Sequence, residues 1–167
     1  MTLADFRHLL RLCRGKGSRL VIDASGDMLR AALRERPWLI KPNLDELREL
    51  SGRRLGTLPQ VVSAARALLG RVENVLVSLG REGAVLANSA GAWHAWEVNP
   101  PKSVISVGCG DALLAGFLSR LSRDGAASES LRFAVACGSA CARSEYACIR
   151  RRGEPQRFFS RVRAASL

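Results

Sequence analysis

Short apolar segments alternate with helical ones through the first half of the chain, and this alternation restricts the fold more than any other feature. The runs at 19–23 and 38–41 have the composition of short buried strands, and each is followed by a pattern typical of a helix. Strands that alternate with helices in this way form a parallel sheet covered by helices. The sequence therefore predicts an α/β fold, in which ligands bind at the carboxyl ends of the strands.

The same patterns divide the rest of the chain into elements. Helices are expected at 2–14, 25–36, 43–50, 58–69, 111–123 and 128–146, and strands at 19–23, 38–41, 74–79, 84–88 and 93–98. Thr2 and Asp5 have the spacing of a capping box at the start of the first helix. The strand at 84–88 is expected to turn back on 74–79 as a hairpin.

Composition places this fold in one domain. A chain of 167 residues with 47% hydrophobic content is long enough to bury a core. No apolar run approaches the roughly 20 residues of a membrane span, and the start of the sequence lacks the features of a signal peptide, so a cytoplasmic protein is predicted. The five cysteines include no Cys-x-x-Cys pair. Because no histidine lies near Cys137, Cys141 and Cys148, three small buried thiols on one helix face are favoured over a metal site.

The net charge of +11 is concentrated late in the chain. It predicts a basic tail at 151–167 after a domain at 1–150. No aromatic interleaving or recognition-helix pattern accompanies the arginines. A solvated tail, or general attraction for anionic nucleotides and sugar phosphates, is therefore favoured over nucleic-acid binding.

The segment Val107-Gly108-Cys109-Gly110-Asp111 is the strongest candidate for a site. It precedes an apolar helix, so unpaired N–H groups and the positive end of the helix dipole converge where a carboxylate follows. A cap alone would not need two glycines, which cost backbone entropy. The pattern favours an anion site in Gly108, Cys109 and Gly110, with Asp111 as the general base of a phosphoryl transfer.

The segment Lys41-Pro42-Asn43-Leu44-Asp45-Glu46 has two compatible interpretations. From spacing alone, Asn43 is a helix N-cap and Glu46 its capping-box partner. The lysine at the strand end adds a functional interpretation, in which Lys41 reaches a phosphate and Glu46 helps to hold hydrated Mg²⁺.

Two further segments are weaker candidates. Ser78-Leu79-Gly80-Arg81-Glu82-Gly83, taken by itself, is best explained as a hairpin with glycine at positive φ, although a nucleotide lying on bare backbone would also need glycines. The small residues around Ser139 suit close helix packing and are nearly as well suited to a flat adenine pocket.

Together and in this order, these motifs resemble the C-terminal half of the PfkB/ribokinase-type carbohydrate kinases, over about Leu3 to Cys148. Within that family the chain looks most like the 1-phosphofructokinase and tagatose-6-phosphate kinase branch. The resemblance also includes Asp23-Ala24-Ser25-Gly26 and is most specific at Val107–Asp111, where the family pattern reads Val-Gly-Ala-Gly-Asp. Cys109 departs from that alanine, which should preserve an anion hole made of backbone N–H groups.

The resemblance implies a three-layer ribokinase-like core with a mostly parallel sheet and helices on both faces. The chain would be truncated on the N-terminal side and lack the β lid, so 1–150 would be the nucleotide-binding and catalytic half. It implies that Asp111 is the base and that Gly108, Cys109 and Gly110 form the anion hole. Lys41 and Asn43 would contact ATP, and Glu46 would assist Mg²⁺. The nucleotide would be bordered by Ser78, Gly80, Gly83 and Ser139. A monovalent cation near Ile105 and Val107 occurs in parts of the family.

The function expected from the resemblance is ATP-dependent phosphoryl transfer to a sugar phosphate, as in the conversion of fructose 1-phosphate to fructose 1,6-bisphosphate. One alternative is a truncated pseudoenzyme that binds nucleotide without kinase activity. A weaker alternative is nucleic-acid association through the arginine-rich tail. The partners considered are ATP, a sugar phosphate, a second copy of the chain, and a separate N-terminal half, with no membrane contact.

Overall fold

The computed structural model describes residues 2–100, 107–123, 125–144, 148, 149, 151 and 153–167. The helices in these ranges are α1 (Leu3–Gly15), α2 (Gly26–Ala32), α3 (Leu44–Ser51), α4 (Leu58–Ala67), α5 (Cys109–Leu121), α6 (Ala127–Ala142) and α7 (Glu154–Phe159). The strands are β1 (Val21–Ile22), β2 (Leu39–Ile40), β3 (Asn74–Ser78), β4 (Ala84–Asn88), β5 (Gly91–Glu97) and β6 (Val162–Ser166). Each element predicted from the sequence is confirmed, with bounds that differ by a few residues. The predicted end of α6 at 145–146 lies outside the described residues.

The strands form one mixed six-stranded sheet in the order β1-β2-β3-β4-β5-β6. The register is parallel for β1 with β2 and for β2 with β3, through Val21 opposite Leu39 and Leu39 opposite Asn74. It is antiparallel for β5 with β6, where Trp93 lies opposite Ser166. Helices connect the parallel strands, as the alternating sequence pattern predicted, so the α/β architecture is confirmed.

The chain divides into two compact units, of which the first comprises Met1–Val77 and Ala87–Ala92. Here α1 packs on α2, α2 on α3, and α3 on α4. The core of this unit is aliphatic, since Leu29, Leu33, Leu39, Ile40 and Leu47 are almost completely buried. Aliphatic burial of this kind is the main stabilising contribution in a chain with few aromatic residues.

Helices α1 and α4 of the first unit begin with capping boxes, in which side chains satisfy backbone N–H groups of the first turn. The capping box predicted for α1 is present, because Thr2 Oγ1 accepts from the Asp5 N–H (3.2 Å) and Asp5 Oδ2 accepts from the Thr2 N–H (2.9 Å). Thr57 and Gln60 form another capping box at the start of α4. These side chains replace partners that the helix itself cannot provide.

The second unit comprises Ser78–Leu86 and Trp93–Leu167, and close packing of α5 against α6 is its main feature. Gly116 on α5 lies directly against α6: a Cβ atom added there would be 2.6 Å from Cys137 Sγ and 2.9 Å from Cys137 Cβ. Phe117 beside it is 1% exposed. A larger residue at Gly116 would therefore hold the helices apart.

The segment expected to be a basic tail, 151–167, contains a helix and a strand. Strand β6 pairs with β5, and Val162 on it is completely buried. Arg132 on α6 binds this segment. Its guanidinium donates to the carbonyls of Val162 (3.2 Å) and Phe159 (3.5 Å), and it also stacks over the Phe159 ring. Some arginines of this segment therefore lie on regular secondary structure.

The expectation of three buried thiols on one helix face is only partly correct. Cys137 and Cys141 are buried on α6, but Cys148 follows the helix and is exposed. Among the described residues no group of histidine, cysteine or carboxylate side chains could hold a metal ion. Nor is any helix in the described ranges long and apolar enough to span a membrane.

Candidate active site

The start of α5 presents backbone N–H groups beside a carboxylate. Gly108 is the N-cap residue with φ 75°, a left-handed conformation that an L side chain rarely adopts. Gly108 itself has no side chain that could cap this helix end, and the first intrahelical bond runs from the Ala112 N–H to the Gly108 carbonyl (2.9 Å). The N–H groups of Cys109, Gly110 and Asp111 thus precede the first intrahelical donor, as an anion site requires.

Asp111 lies in the first turn of α5 with its side chain exposed. Within the described part of the chain, no hydrogen bond or ion pair engages its carboxylate. A general base must reach the proton that it removes, so an exposed carboxylate in the first turn of a helix is suitable.

The Cys109 thiol is directed toward α6 rather than into the N–H cluster. It shares a hydrogen bond with the Cys141 thiol, whose Sγ also contacts the Val107 carbonyl at 3.9 Å. Burial, and to a lesser extent the neighbouring Cys141, raises the pKa of Cys109 from 9.0 to about 11. The group is therefore a neutral thiol near pH 7 and adds no charge to the anion site.

Helix α6 brings Ser139 to the vicinity of this helix start. A Cβ added at its neighbour Gly138 would be 3.6 Å from the Cys109 carbonyl, which is ordinary contact distance. The Ser139 carbonyl accepts from Arg143 (3.0 Å), and Arg143 forms a two-pronged ion pair with the buried Glu97 at 2.7 and 2.9 Å. This pair was not predicted from the sequence, although Glu97 at the end of the predicted strand and Arg143 in the predicted helix are both present in the sequence.

The residues Ser78, Gly80 and Gly83 form the turn between β3 and β4. Ser78 ends β3 and is half-buried, while Gly80 (φ 59°) and Gly83 (φ 86°) both have positive φ. A Cβ at Gly83 would collide with the Ala95 carbonyl of β5, so only glycine fits there. The hairpin interpretation is confirmed by this geometry, and contact with a nucleotide stays a prediction.

Lys41 and Asp23 form an ion pair in the first unit. Asp23 directly follows β1 and Lys41 directly follows β2, and Lys41 Nζ lies 3.1 Å from Asp23 Oδ2. The lysine side chain is 7% exposed and that of Asp23 33%. Asp23 had been noted only as part of a family motif. The rule that parallel strands align their carboxyl ends could have identified it as the partner of Lys41.

The capping box predicted for Asn43 and Glu46 is confirmed. The Glu46 N–H donates to Asn43 Oδ1 and the Asn43 N–H donates to Glu46 Oε2, both at 2.9 Å. Mg²⁺ keeps several waters and is usually bound by one or two carboxylates together with substrate phosphates. With one oxygen of Glu46 already engaged, the segment fits a metal shared with a phosphate ligand and does not fit an all-protein metal cage.

The structure therefore groups the predicted site residues into two sets. Lys41, Asn43 and Glu46 belong to the first unit, whereas the turn Ser78–Gly83, the segment Gly108–Asp111 and Ser139 belong to the second. The predicted cation neighbourhood at Ile105 lies outside the described residues.

Strands that alternate with helices, on a mixed and mostly parallel sheet with polar residues at the strand ends, define an α/β protein with a ribokinase-like fold. Its family follows from comparison with known proteins: the chain belongs to the pfkB family of carbohydrate kinases, whose model matches residues 2–151.

Two curated relatives are identical to this chain at about a third of the aligned positions. It is 35% identical over 141 residues to 1-phosphofructokinase from Bacillus subtilis, covering 84% of this chain and 46% of the relative. It is also 35% identical over 156 residues to ATP-dependent 6-phosphofructokinase isozyme 2 from Mycobacterium tuberculosis. That alignment covers 92% of this chain and 45% of the relative. The chain spans about half the length of these relatives.

Solved structures of phosphofructokinase-2 from Escherichia coli have the same fold. The structure in complex with potassium aligns with a TM-score of 0.87 at 30% identity, covering 96% of this chain and 52% of the other. The tetrameric inhibited form aligns with a TM-score of 0.84 at 31% identity, with the same coverage. The ribokinase-like α/β fold predicted from the sequence is confirmed.

Proposed function

We propose that the protein transfers the γ-phosphoryl group of ATP to a sugar phosphate, converting fructose 1-phosphate to fructose 1,6-bisphosphate. The observation that carries this proposal is the start of α5 in a pfkB family chain, where the backbone N–H groups of the first turn adjoin Asp111, whose carboxylate makes no hydrogen bond or ion pair with the other described residues. A pseudoenzyme that only binds nucleotide is less favoured, because the chain belongs to a family of carbohydrate kinases.

In the proposed reaction, the sugar hydroxyl oxygen forms a bond to the γ-phosphorus as the bond to the β-phosphate oxygen breaks. Asp111 accepts the hydroxyl proton, and ADP leaves. The N–H groups of Gly108, Cys109 and Gly110 stabilise the negative charge that develops on the transferred group, since fixed donors need no reorganisation.

The ATP phosphates are assigned to Lys41 and Asn43, and the border of the nucleotide to Ser78, Gly80, Gly83 and Ser139. Lys41 has three N–H donors, so it can keep its bond to Asp23 while it donates to a phosphate oxygen. Mg²⁺, held by Glu46 together with phosphate and water, would neutralise charge on the phosphates. A monovalent cation, a homodimer and a cytoplasmic location belong to the same proposal.

The test of this function replaces Asp111 with Asn in the full chain and measures ADP release with fructose 1-phosphate. Turnover should fall by about 10²–10⁴, the usual contribution of a general base. Calorimetric ATP affinity should change little, because binding depends on other residues. Glu129→Gln removes a carboxylate from the first turn of α6 and serves as the control, with turnover expected to stay unchanged.

A comparison of sugar phosphates completes the test, because the two curated relatives are named for different substrates. We expect kcat/KM to be higher with fructose 1-phosphate than with fructose 6-phosphate. ATP binding without transfer to either substrate would contradict the kinase proposal, and undiminished turnover in Asp111→Asn would contradict the role of Asp111.

A further inference from the structure

A basic cleft lies at the amino ends of the strands in the first unit, where no function has been assigned. It has a volume of about 360 Å³, which is in the lower range of small-molecule pockets. Residues directly before β1, β2 and β3 line it, among them Trp38 and Glu73. Lys41 and Asp23 follow the same strands, so the cleft and the candidate ATP-phosphate residues are at opposite strand ends.

Four arginines from separate segments line the cleft: Arg14, Arg19, Arg36 and Arg71. Arg14 is in the last turn of α1, Arg19 precedes β1, Arg36 precedes β2 and Arg71 precedes β3. Glu73 is the one carboxylate among the lining residues. Like charges repel one another at short range, so this arrangement favours an anionic ligand that neutralises them.

Two of the arginines are already held in place. Arg14 donates to the Glu35 carbonyl at 3.3 Å. The Arg19 guanidinium stacks over the Trp38 ring, 5.4 Å from its centroid. A stacked guanidinium keeps its N–H donors in its own plane, so Arg19 remains able to bind a planar or tetrahedral oxyanion at its edge.

The other two arginines are unengaged. Within the described residues, no hydrogen bond or ion pair involves the side chain of Arg36 or Arg71. Arg36 also has φ 48°, the left-handed region that is uncommon for a side-chain-bearing residue. Two free guanidinium groups and two fixed ones around one cleft provide the forked donors that phosphate oxygens prefer.

We propose that this cleft binds a phosphorylated small molecule through Arg14, Arg19, Arg36 and Arg71. The ligand is recognised by its phosphate oxygens. This site is distinct from the proposed catalytic residues and does not depend on kinase activity.

The test uses the full chain with Trp93 and Trp96 replaced by Phe, which leaves Trp38 as the single tryptophan. Titration with inorganic pyrophosphate should change Trp38 fluorescence and saturate. Calorimetry on the natural sequence gives an independent measurement if the Phe replacements disturb folding. Arg36→Gln combined with Arg71→Gln should weaken pyrophosphate binding by about tenfold or more, because charge-assisted bonds are lost.

The control is Arg53→Gln combined with Arg54→Gln, which removes two exposed arginines of the same unit that do not line the cleft. Its pyrophosphate affinity should stay within about twofold of the parent chain, the size expected from a change in net charge alone. Equal weakening in both double variants would show diffuse attraction to a basic protein and would overturn the proposal. Absence of both a Trp38 response and a calorimetric signal would also overturn it.

Discussion

Replacement of Gly116 by Ala should destabilise the second unit, although alanine is the better helix former. The added Cβ would lie 2.6 Å from Cys137 Sγ, 2.9 Å from Cys137 Cβ and 3.2 Å from Ala134 Cα. The sulfur can rotate away, but the last two atoms are fixed to the α6 backbone. Helices α5 and α6 must therefore move apart to admit the methyl group.

The size of the effect follows from two opposing terms. Overpacking a close contact costs about 1–3 kcal/mol. Removing a glycine from a helix interior contributes about 0.5–1 kcal/mol in the other direction. The central values of the two terms differ by about 1 kcal/mol, so the free energy of unfolding should fall by about that amount, which lowers Tm by about 2–4 °C in a chain of this size.

Gly138→Ala is the matched control, because it adds a methyl group at the same helix pair where there is space. Its Cβ would lie 3.6 Å from the Cys109 carbonyl and 3.8 Å from Leu113 Cβ, so only the gain in helix propensity remains. Urea unfolding of both variants should give opposite shifts of the midpoint with an unchanged m-value. Cys137→Ala combined with Gly116→Ala should recover part of the loss. If Gly116→Ala is as stable as the parent chain, the close approach of α5 and α6 is not a constraint.

Three further predictions concern residues near the candidate site. Asn43→Ala removes the side-chain oxygen that accepts from the Glu46 N–H at the start of α3, while the backbone N–H of residue 43 can still donate to Glu46, and it should lower the free energy of unfolding by about 1 kcal/mol in urea titration. Asp23→Asn leaves the buried Lys41 ammonium without its carboxylate and should cost about 1–3 kcal/mol, partly recovered by adding Lys41→Met. An equal loss with and without Lys41→Met would contradict this account. The pKa of the Cys109 thiol is about 11 in the folded chain, compared with an ordinary value of 9.0. Between pH 9 and pH 11, the folded state therefore keeps the thiol proton while the unfolded state releases it. Stability should therefore fall as pH rises from 9 to 11, and Cys109→Ala should reduce that fall in pH-dependent urea unfolding.

Local chemistry explains why much of the fold was predictable from the sequence. The parallel strands are continuous apolar runs, and Asn43 with Glu46 has a helix-start spacing that needs no tertiary information. The glycine at 108 was identified as special, and its positive φ gives the reason. These features depend on neighbours in the sequence, which a single chain displays directly.

The unpredicted features depend on partners far away in the chain. Strand β6 has one buried apolar residue, Val162, among small and charged ones, so its composition does not indicate a strand until β5 lies beside it. The Asp23–Lys41 pair requires the parallel register of β1 and β2. The roles of Asp111, Lys41 and Glu46 toward ligands stay predictions, because a protein fold fixes where a side chain lies and not what binds to it.

The pairing of β6 with β5 has a consequence for the order of folding. Its register joins Trp93 to Ser166 and Glu97 to Val162, the longest sequence separation among the three registers described. Closing a longer loop costs more chain entropy before any contact forms. Strand β6 should therefore join the sheet late and detach early, and its amide protons should exchange with solvent faster than those of β3. Arg163, the arginine of this strand, would then spend part of the folding time in an unpaired segment, even though the native chain holds it in a sheet.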